Sequence, residues 1–498
     1  SVTTLGTDGE PVMNAEGYAR MEYSYDAFGR QTGVAYWTAD GAAATTGEGY
    51  AQIENVYDAF GNLLSQRYLN AYGVLSNCKD GYASVENAYD AMGNLISQRC
   101  YTANGLPFRN PDGYFEVRRT YDERRNCIGE AYFIAEGIPA IHEMGYSSVA
   151  YTVDALGRTT SVRYLDMVGA PMICRMGYAG MDMTYDRYGR MTKQVCVDEQ
   201  GQAVVQSGGY AAEVYAYNQA GDIELLQYVD AQGACVNTAY GYAQIRYDYD
   251  QLGRMTRQTF MDVSGYPVVM TDGYACVSRT YDSAGRVIRE SYFDAEERLC
   301  DIYDGYAYVE NTYDDDGNLT RTAYFNQNSQ PCLHKAGYSA VEYAYNEQRR
   351  NTSVRYYGVD GGLVGDASGA AGMDYSYDAY GNVESALQIG TDGSPMINAQ
   401  GYVKVCYTYD ERGNRTSERY LDGKDQPVVV VSLGYARREM TYDSAGRCTQ
   451  IAFYNAEGEL CASAEGCAQI AMTYDQAGSL LRQEFRNAQG EPMLCNGY

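Results

Sequence analysis

The sequence predicts an all-β, elongated repeat array, a β-solenoid or a coiling antiparallel β-strip of about fifteen 32-residue units. Three observations predict it. The pair Tyr-Asp returns every 32 residues along the chain, two glycine columns keep the same step, and the stretches between them are rich in Tyr, Val, Ile and Thr with alternating polarity. Self-similarity at a fixed period marks a stack of supersecondary units that share one core, because a single unit of this size cannot bury an apolar face alone.

The Tyr-Asp pair opens at Tyr25, Tyr57, Tyr89, Tyr121, Tyr185, Tyr249, Tyr281, Tyr313, Tyr377 and Tyr409. Val153-Asp154, Tyr217-Asn218 and Tyr345-Asn346 fill the remaining slots, and the series resumes at Tyr442 and Tyr474 after one inserted residue near Gly423. Three residues after the Asp stands a glycine. The resulting triads, Tyr25/Asp26/Gly29, Tyr57/Asp58/Gly61, Tyr89/Asp90/Gly93, Tyr185/Asp186/Gly189 and Tyr281/Asp282/Gly285, are the structural columns of the repeat; the glycine fails only at Arg125 and Arg349. A glycine at a fixed offset after Asp is a turn that needs a positive backbone angle, with the carboxylate accepting from turn amides. A second glycine column, Gly41, Gly73, Gly105 and onward, has Glu297, Ser329 and Asp425 as exceptions. Nine of the ten prolines fall two residues after it, and Pro111 is the stray. A Gly-Tyr pair (Tyr18, Tyr50, Tyr82, Tyr114, Tyr146) completes the unit, with lapses at Ala370 and Cys467.

Between these turns the chain alternates as a strand with one covered face does. In GYAQIENVYD, Ala51, Ile53 and Tyr57 share one parity, and Gln52 and Glu54 the other. A second strand ends in an aromatic column, Tyr36, Tyr68, Tyr132, Tyr164, Tyr228, Phe260, Tyr292 and onward. The Ile53, Tyr57 and Tyr68 columns are the expected core. Residues 1–498 read as one continuous array without a linker, beginning and ending inside a unit, so an excerpt of a longer polypeptide or a subunit stacking end to end is expected. Residues 361–372, where the Gly-Tyr pair is lost, are the degenerate stretch, and mobility is expected there.

The pattern YDxxG(N/R) followed by an apolar residue, as in YDAFGNLL at Tyr57, YDAMGNLI at Tyr89, YDRYGRMT at Tyr185 and YDSAGRVI at Tyr281, resembles the YD repeats of the RHS family. The resemblance runs the length of the chain. It implies a long antiparallel β-strip that coils, on bacterial cell surfaces or in toxin-delivery proteins. The unit here carries an added Gly-x-Pro turn, and the Asp-Pro and Gly-Leu junction that ends such a shell before its toxin is absent. A bacterial cell-surface repeat region is therefore the nearer parallel.

A formal charge of −27 removes nucleic acid from the expected partners, since no column supplies a basic face. No apolar run is long enough to cross a bilayer. The fourteen cysteines scatter over many columns, which fits small apolar fillers better than a disulfide framework. His142 and His334 read as surface or turn residues in different columns, without ligand partners at metal spacing. Near-identical copies supply equivalent sites where an enzyme needs one irregular site, so no catalysis and no cofactor are expected. Stacked carboxylates of the Asp column need turn amides to hold them, calcium bridging being the alternative. The expected function is structural or adhesive, in a bacterial extracellular, cell-surface or filament-forming protein that associates end to end or with neighbouring repeats. A glycan- or cell-wall-binding domain, using exposed Tyr ladders on surface glycans, is the second reading. A toxin-encapsulating shell is the third.

Overall fold

A computed structural model describes residues 1–5, 10–14, 16–366, 368–443, 446–474 and 480–494. Among the described residues every regular element is a β-strand, and all belong to one antiparallel sheet of 33 strands. Of the two architectures open from sequence, the chain adopts the antiparallel strip: each long strand pairs with the one before and the one after it in sequence.

One unit shows the rule. The six-residue strand Gln52–Tyr57 and the seven-residue strand Leu63–Leu69 pair from Gln52 opposite Leu69 to Tyr57 opposite Leu63, with a bulge between Val56 and Tyr57. The next unit's Ser84–Tyr89 then pairs with Leu63–Leu69 over three residues only, Ser65 with Glu86, Gln66 with Val85 and Arg67 with Ser84. Strands of neighbouring units are therefore joined at mid-length and splay towards the edge that carries the Asp-x-x-Gly turns.

Each unit makes three turns, one more than the two glycine columns alone require. In the first, the Asp58 amide donates to the Asn62 carbonyl and Gly61 to Asp58; in the second, Asn70 to Val74 and Gly73 to Asn70; in the third, Cys78 to Tyr82 and Gly81 to Cys78. The third turn is the Gly-Tyr pair, which packs back over the sheet and bonds the third turn of the preceding unit through Lys79 N–H to the Glu48 carbonyl. Among the described residues the non-glycine ones at positive φ are Arg125, Glu297, Ser329, Arg349 and Asp425, the same five at which the first two glycine columns lapse. The turn geometry is thus imposed by the repeat even where the side chain opposes it.

The extra residue does not lie near Gly423. The second turn there, 422–426, has the standard bonds, whereas the third turn spans 430–435, with Val430 N–H donating to the Tyr435 carbonyl five residues on instead of four. A third turn is a loop on the outside of the sheet register and absorbs an insertion without shifting a strand. In the degenerate stretch the third turn keeps its bonds, Asp366 N–H to Ala370 and Gly369 N–H to Asp366; Ala367 lies outside the described residues.

The strip coils onto itself. Arg412, Gly413, Asn414, Gly446 and Arg447 from first turns late in the chain face Met13, Glu16, Gly17, Thr38 and residues 44–47 from second and third turns at its beginning, across a cleft of about 410 Å³. Thr38 bonds the Asp40 carboxylate and holds it in its charged form, the Ala42 amide adds to this, and the Arg412 charge acts in the same sense. About twelve units separate the facing edges, so one coil of about 24 strands at ~4.8 Å has a mean diameter on the order of 35 Å.

Candidate functional site in the repeat columns

In the first turn the Asp58 Oδ1 accepts from the amides of Phe60 (2.8 Å) and Asn62 (2.9 Å), and Oδ2 from Asn62 Nδ2 (2.8 Å). Asp90 and Asp122 repeat this with Asn94 and Asn126. The Asn62 side-chain bond and the turn amides hold the Asp58 carboxyl below the usual carboxylate range, outweighing the opposing desolvation. Because each unit adds two strands, carboxylates of this column are about 10 Å apart, twice the expected strand spacing, where repulsion in water is only about 0.4 kcal/mol. Among the described residues no three His, Cys, Asp or Glu side chains gather as a metal site.

Where Arg replaces Asn, the turn reaches the next unit. Arg30 Nε donates to Asp26 Oδ2 (2.5 Å), its Nη1 to the Asp58 carbonyl (2.7 Å), and the guanidinium lies 5.2 Å from the Tyr57 ring. Arg254 and Arg286 do the same with Asp282 and Tyr281 and with Asp314 and Tyr313. The Asn/Arg alternation was visible in sequence; its two functions were not.

The tyrosines of the Tyr-Asp pairs are not core residues, contrary to the expectation for the Tyr57 column. They are half-exposed staples. Tyr57 Oη donates to the Gln31 carbonyl (3.0 Å), Tyr89 to Leu63 (3.0 Å), Tyr185 to Thr159 (2.6 Å) and Tyr281 to Met255 (2.6 Å). Each acceptor opens the preceding unit's second strand, where the strands have splayed and the main-chain ladder between units has ended. A phenol is long enough to restore the missing bond, and Asn55 and Asn87 help by donating to the same carbonyls. Tyr25, in the first unit, is exposed and lies beside Tyr23. The glycines of the five triads, Gly29, Gly61, Gly93, Gly189 and Gly285, all have positive φ.

The core is the aromatic column of the second strand, interleaved with the Gly-Tyr column. Rings alternate along the strip, Tyr50–Tyr68 at 4.7 Å, Tyr68–Tyr82 at 5.7 Å, and from Tyr210 through Tyr228, Tyr242 and Phe260 onward to Tyr356 at 4.6–6.0 Å. Beneath it lies a column of small residues after the Gly-Tyr pair, fully buried at Ala51, Ala83, Ala179 and Ala275. Burial pushes the phenols of this ladder up, as at Tyr146, raised to about 12.

Both histidines belong to one column, not two. His142 and His334 cap third turns, accepting at Nδ1 from the amides of Met144 and Ala336, and stack on Tyr146 (4.8 Å) and Tyr338 (5.6 Å). They stand six units apart, a multiple of the period that the different-column reading missed. Among the described residues no disulfide joins the cysteines; Cys100 and Cys196 occupy ring positions of the ladder, and burial raises each thiol to about 11. Sequence reasoning also missed two buried carboxylates. Glu116 is fully buried and clamped by Ser97 Oγ (2.7 Å), Arg118 Nε (2.8 Å) and Arg99 (3.1 Å), and Glu418 is held by Arg438 (2.6 Å) and the Tyr420 hydroxyl. Both sit in columns of mixed character: Glu116 shares its position with Ser84, Ala212 and Tyr308, and Glu418 with Val34, Gln66 and Leu226 as well as Glu130 and Glu290.

No family model matches the sequence, and the search of curated proteins found no match. Among solved structures, a Tc holotoxin pore of Photorhabdus luminescens aligns at 13% identity and a TM-score of 0.33, over 93% of this chain and 25% of that one. A TcdB2–TccC3–Cdc42 complex aligns at 13% identity and 0.29, over 98% and 28%. A porin-like protein of Bacteroides uniformis aligns at 10% identity and 0.19, over 54% and 91%. The chain thus spans about a quarter of the length of the first two.

Proposed function

We propose that this chain is a structural repeat region, a length of coiled β-wall that encloses or spaces and does no catalysis, in a bacterial extracellular or cell-surface protein. The observation that carries the reading is the facing of first turns at Arg412, Gly413, Asn414, Gly446 and Arg447 with the opposite edge at Met13, Glu16, Gly17 and residues 44–47 across one cleft. A strip whose edges meet after one coil bounds a volume, whereas one that ran straight would only span a distance. The repeat supports this mechanically. Most units bring the same Tyr staple and interleaved rings, with lapses such as Val153 and Cys100, so stiffness is distributed along the strip instead of concentrated in one site. The resemblance to YD repeats points the same way.

Mutual packing of the ladder rings favours a core role for them over glycan binding. Small-angle scattering of the monomer tests the coil. A coiled wall gives a maximum dimension on the order of 70 Å, while an extended strip of thirty long strands gives about 145 Å. A value near the longer figure would remove the reading.

A further inference from the structure

The first-turn edge carries a second pattern, two residues after each Asp. Phe28, Phe60, Met92, Leu156, Tyr188 and Leu252 stand there in the first eight units, and all are exposed, Phe60 by 92% and Leu156 by 78%. Arg124 and Ala220 interrupt the series, so the six stand about 10 or about 20 Å apart and form a broken apolar ridge along one edge of the strip. In the unit where the coil covers this edge, the same position is Arg412, half-buried against the opposite edge. The ridge is apolar along the early units, whose first-turn edge no part of the described chain covers.

The opposite edge has a matching ridge. Met13 lies in the coil contact, half-buried. Its equivalents in later units include Ile141, Ile173, Val205, Val269, Leu333 and Ile397, all exposed, Ile397 by 62%. Rows of exposed apolar side chains on both edges mark an interaction site. The coil contact already shows which two edges meet.

We propose that the two ridges are mates between copies: the first-turn ridge of one molecule docks on the Met13-column ridge of a second, continuing the coil head to tail. The facing of the two edges across the cleft within the chain is the template, and the intermolecular contact repeats that pairing with apolar side chains. This is a heterologous interface, which propagates because each added copy presents a fresh edge. The formal charge of −27 opposes it, so association strengthens as salt screens the copies.

Sedimentation velocity over a concentration series tests the proposal. The wild-type chain is expected to form species beyond the dimer, more at 0.5 M than at 0.05 M NaCl on the screening argument. The variant Phe60→Ser/Leu156→Ser/Leu252→Ser blocks one edge, and Ile173→Ser/Val269→Ser/Leu333→Ser the other. Each alone is expected to stay monomeric with an unchanged melting temperature, and an equimolar mixture to form a heterodimer that stops there, since one good edge of each remains. A wild-type chain that stays monomeric in high salt overturns the proposal, as does a mixture that stays monomeric or a blocked variant that still polymerises. Should a triple variant lose its fold, Leu156→Glu and Leu333→Glu replace the two. Scattering of the monomeric variants reads the coil independently, so failure of docking and failure of the wall are told apart.

Discussion

Two stretches of the same ladder behave differently. From Tyr210 to Tyr356 ten rings follow one another without a gap. Between Tyr82 and Tyr114 the ring position is held by Cys100, and a cleft of about 520 Å³ opens, lined by Tyr82, Cys100, Phe108 and Tyr114 among others. Phe108 swings in to 5.8 Å from Tyr82 without replacing the missing rung. Pro111 stands where Lys79 and Glu143 donate to the preceding third turn in their units, and it has no N–H to give. Yet the sheet register across this joint is unbroken, with Ser97, Gln98 and Arg99 opposite Arg118, Val117 and Glu116. Backbone pairing sets the path of the strip, and the rings and third turns determine how firmly neighbouring units are held on it.

The largest test of that contrast is Tyr228→Ala against Cys100→Ala. Removing a ring from the intact run costs about 3–5 kcal/mol, whereas Cys100→Ala costs about 1 kcal/mol or less, because the joint already lacks its ring. Urea midpoints with hydrogen exchange at the flanking strands measure both, and equal costs would erase the distinction between the two stretches. Next comes Cys100→Tyr, which supplies the missing rung and is expected to stabilise by about 1–2 kcal/mol and slow exchange at Tyr82 and Tyr114. Val153→Tyr is smaller, about 1 kcal/mol, because it adds one staple hydrogen bond to the preceding unit. A midpoint that does not rise would show that the hydroxyl is not what the Tyr column supplies.

The smallest effects concern the Asp column. Several of its carboxyls are held below their ordinary range, Asp58 first by the Asn62 side chain and Asp90 first by the Asn94 amide. A depressed carboxylate contributes stability that is complete above its unfolded value of about 3.9 and is lost as pH falls through the lower folded value. Melting should therefore be insensitive to these groups above about pH 5 and decline below about pH 4. EDTA at neutral pH should leave the melting temperature unchanged, and a drop would restore calcium bridging.

Much of this was legible because glycine and proline report local backbone angles. The lapses of the glycine columns, Arg125 and Glu297 among them, name the residues forced to positive φ. The staple was not legible. Tyr57 reaches a carbonyl 26 residues back, and its alternation with Ile53 made it look like core because the bulge after Val56 shifts its register. The closing of the coil was hidden for a different reason. It follows from a small rotation summed over about twelve units, and no single residue encodes it. The two buried carboxylates, Glu116 and Glu418, were not legible because their columns mix apolar, polar and charged residues, so the pattern does not say which carboxylate is buried.

The coil contact also fixes a bearing. If about twelve units complete a circuit, each copy turns the growing end by about 30°. Gain or loss of three whole copies would then swing whatever is attached at that end through about a quarter of a circle, with every strand partner in place. Length and heading change together in an array of this kind, so the number of copies is itself a structural parameter.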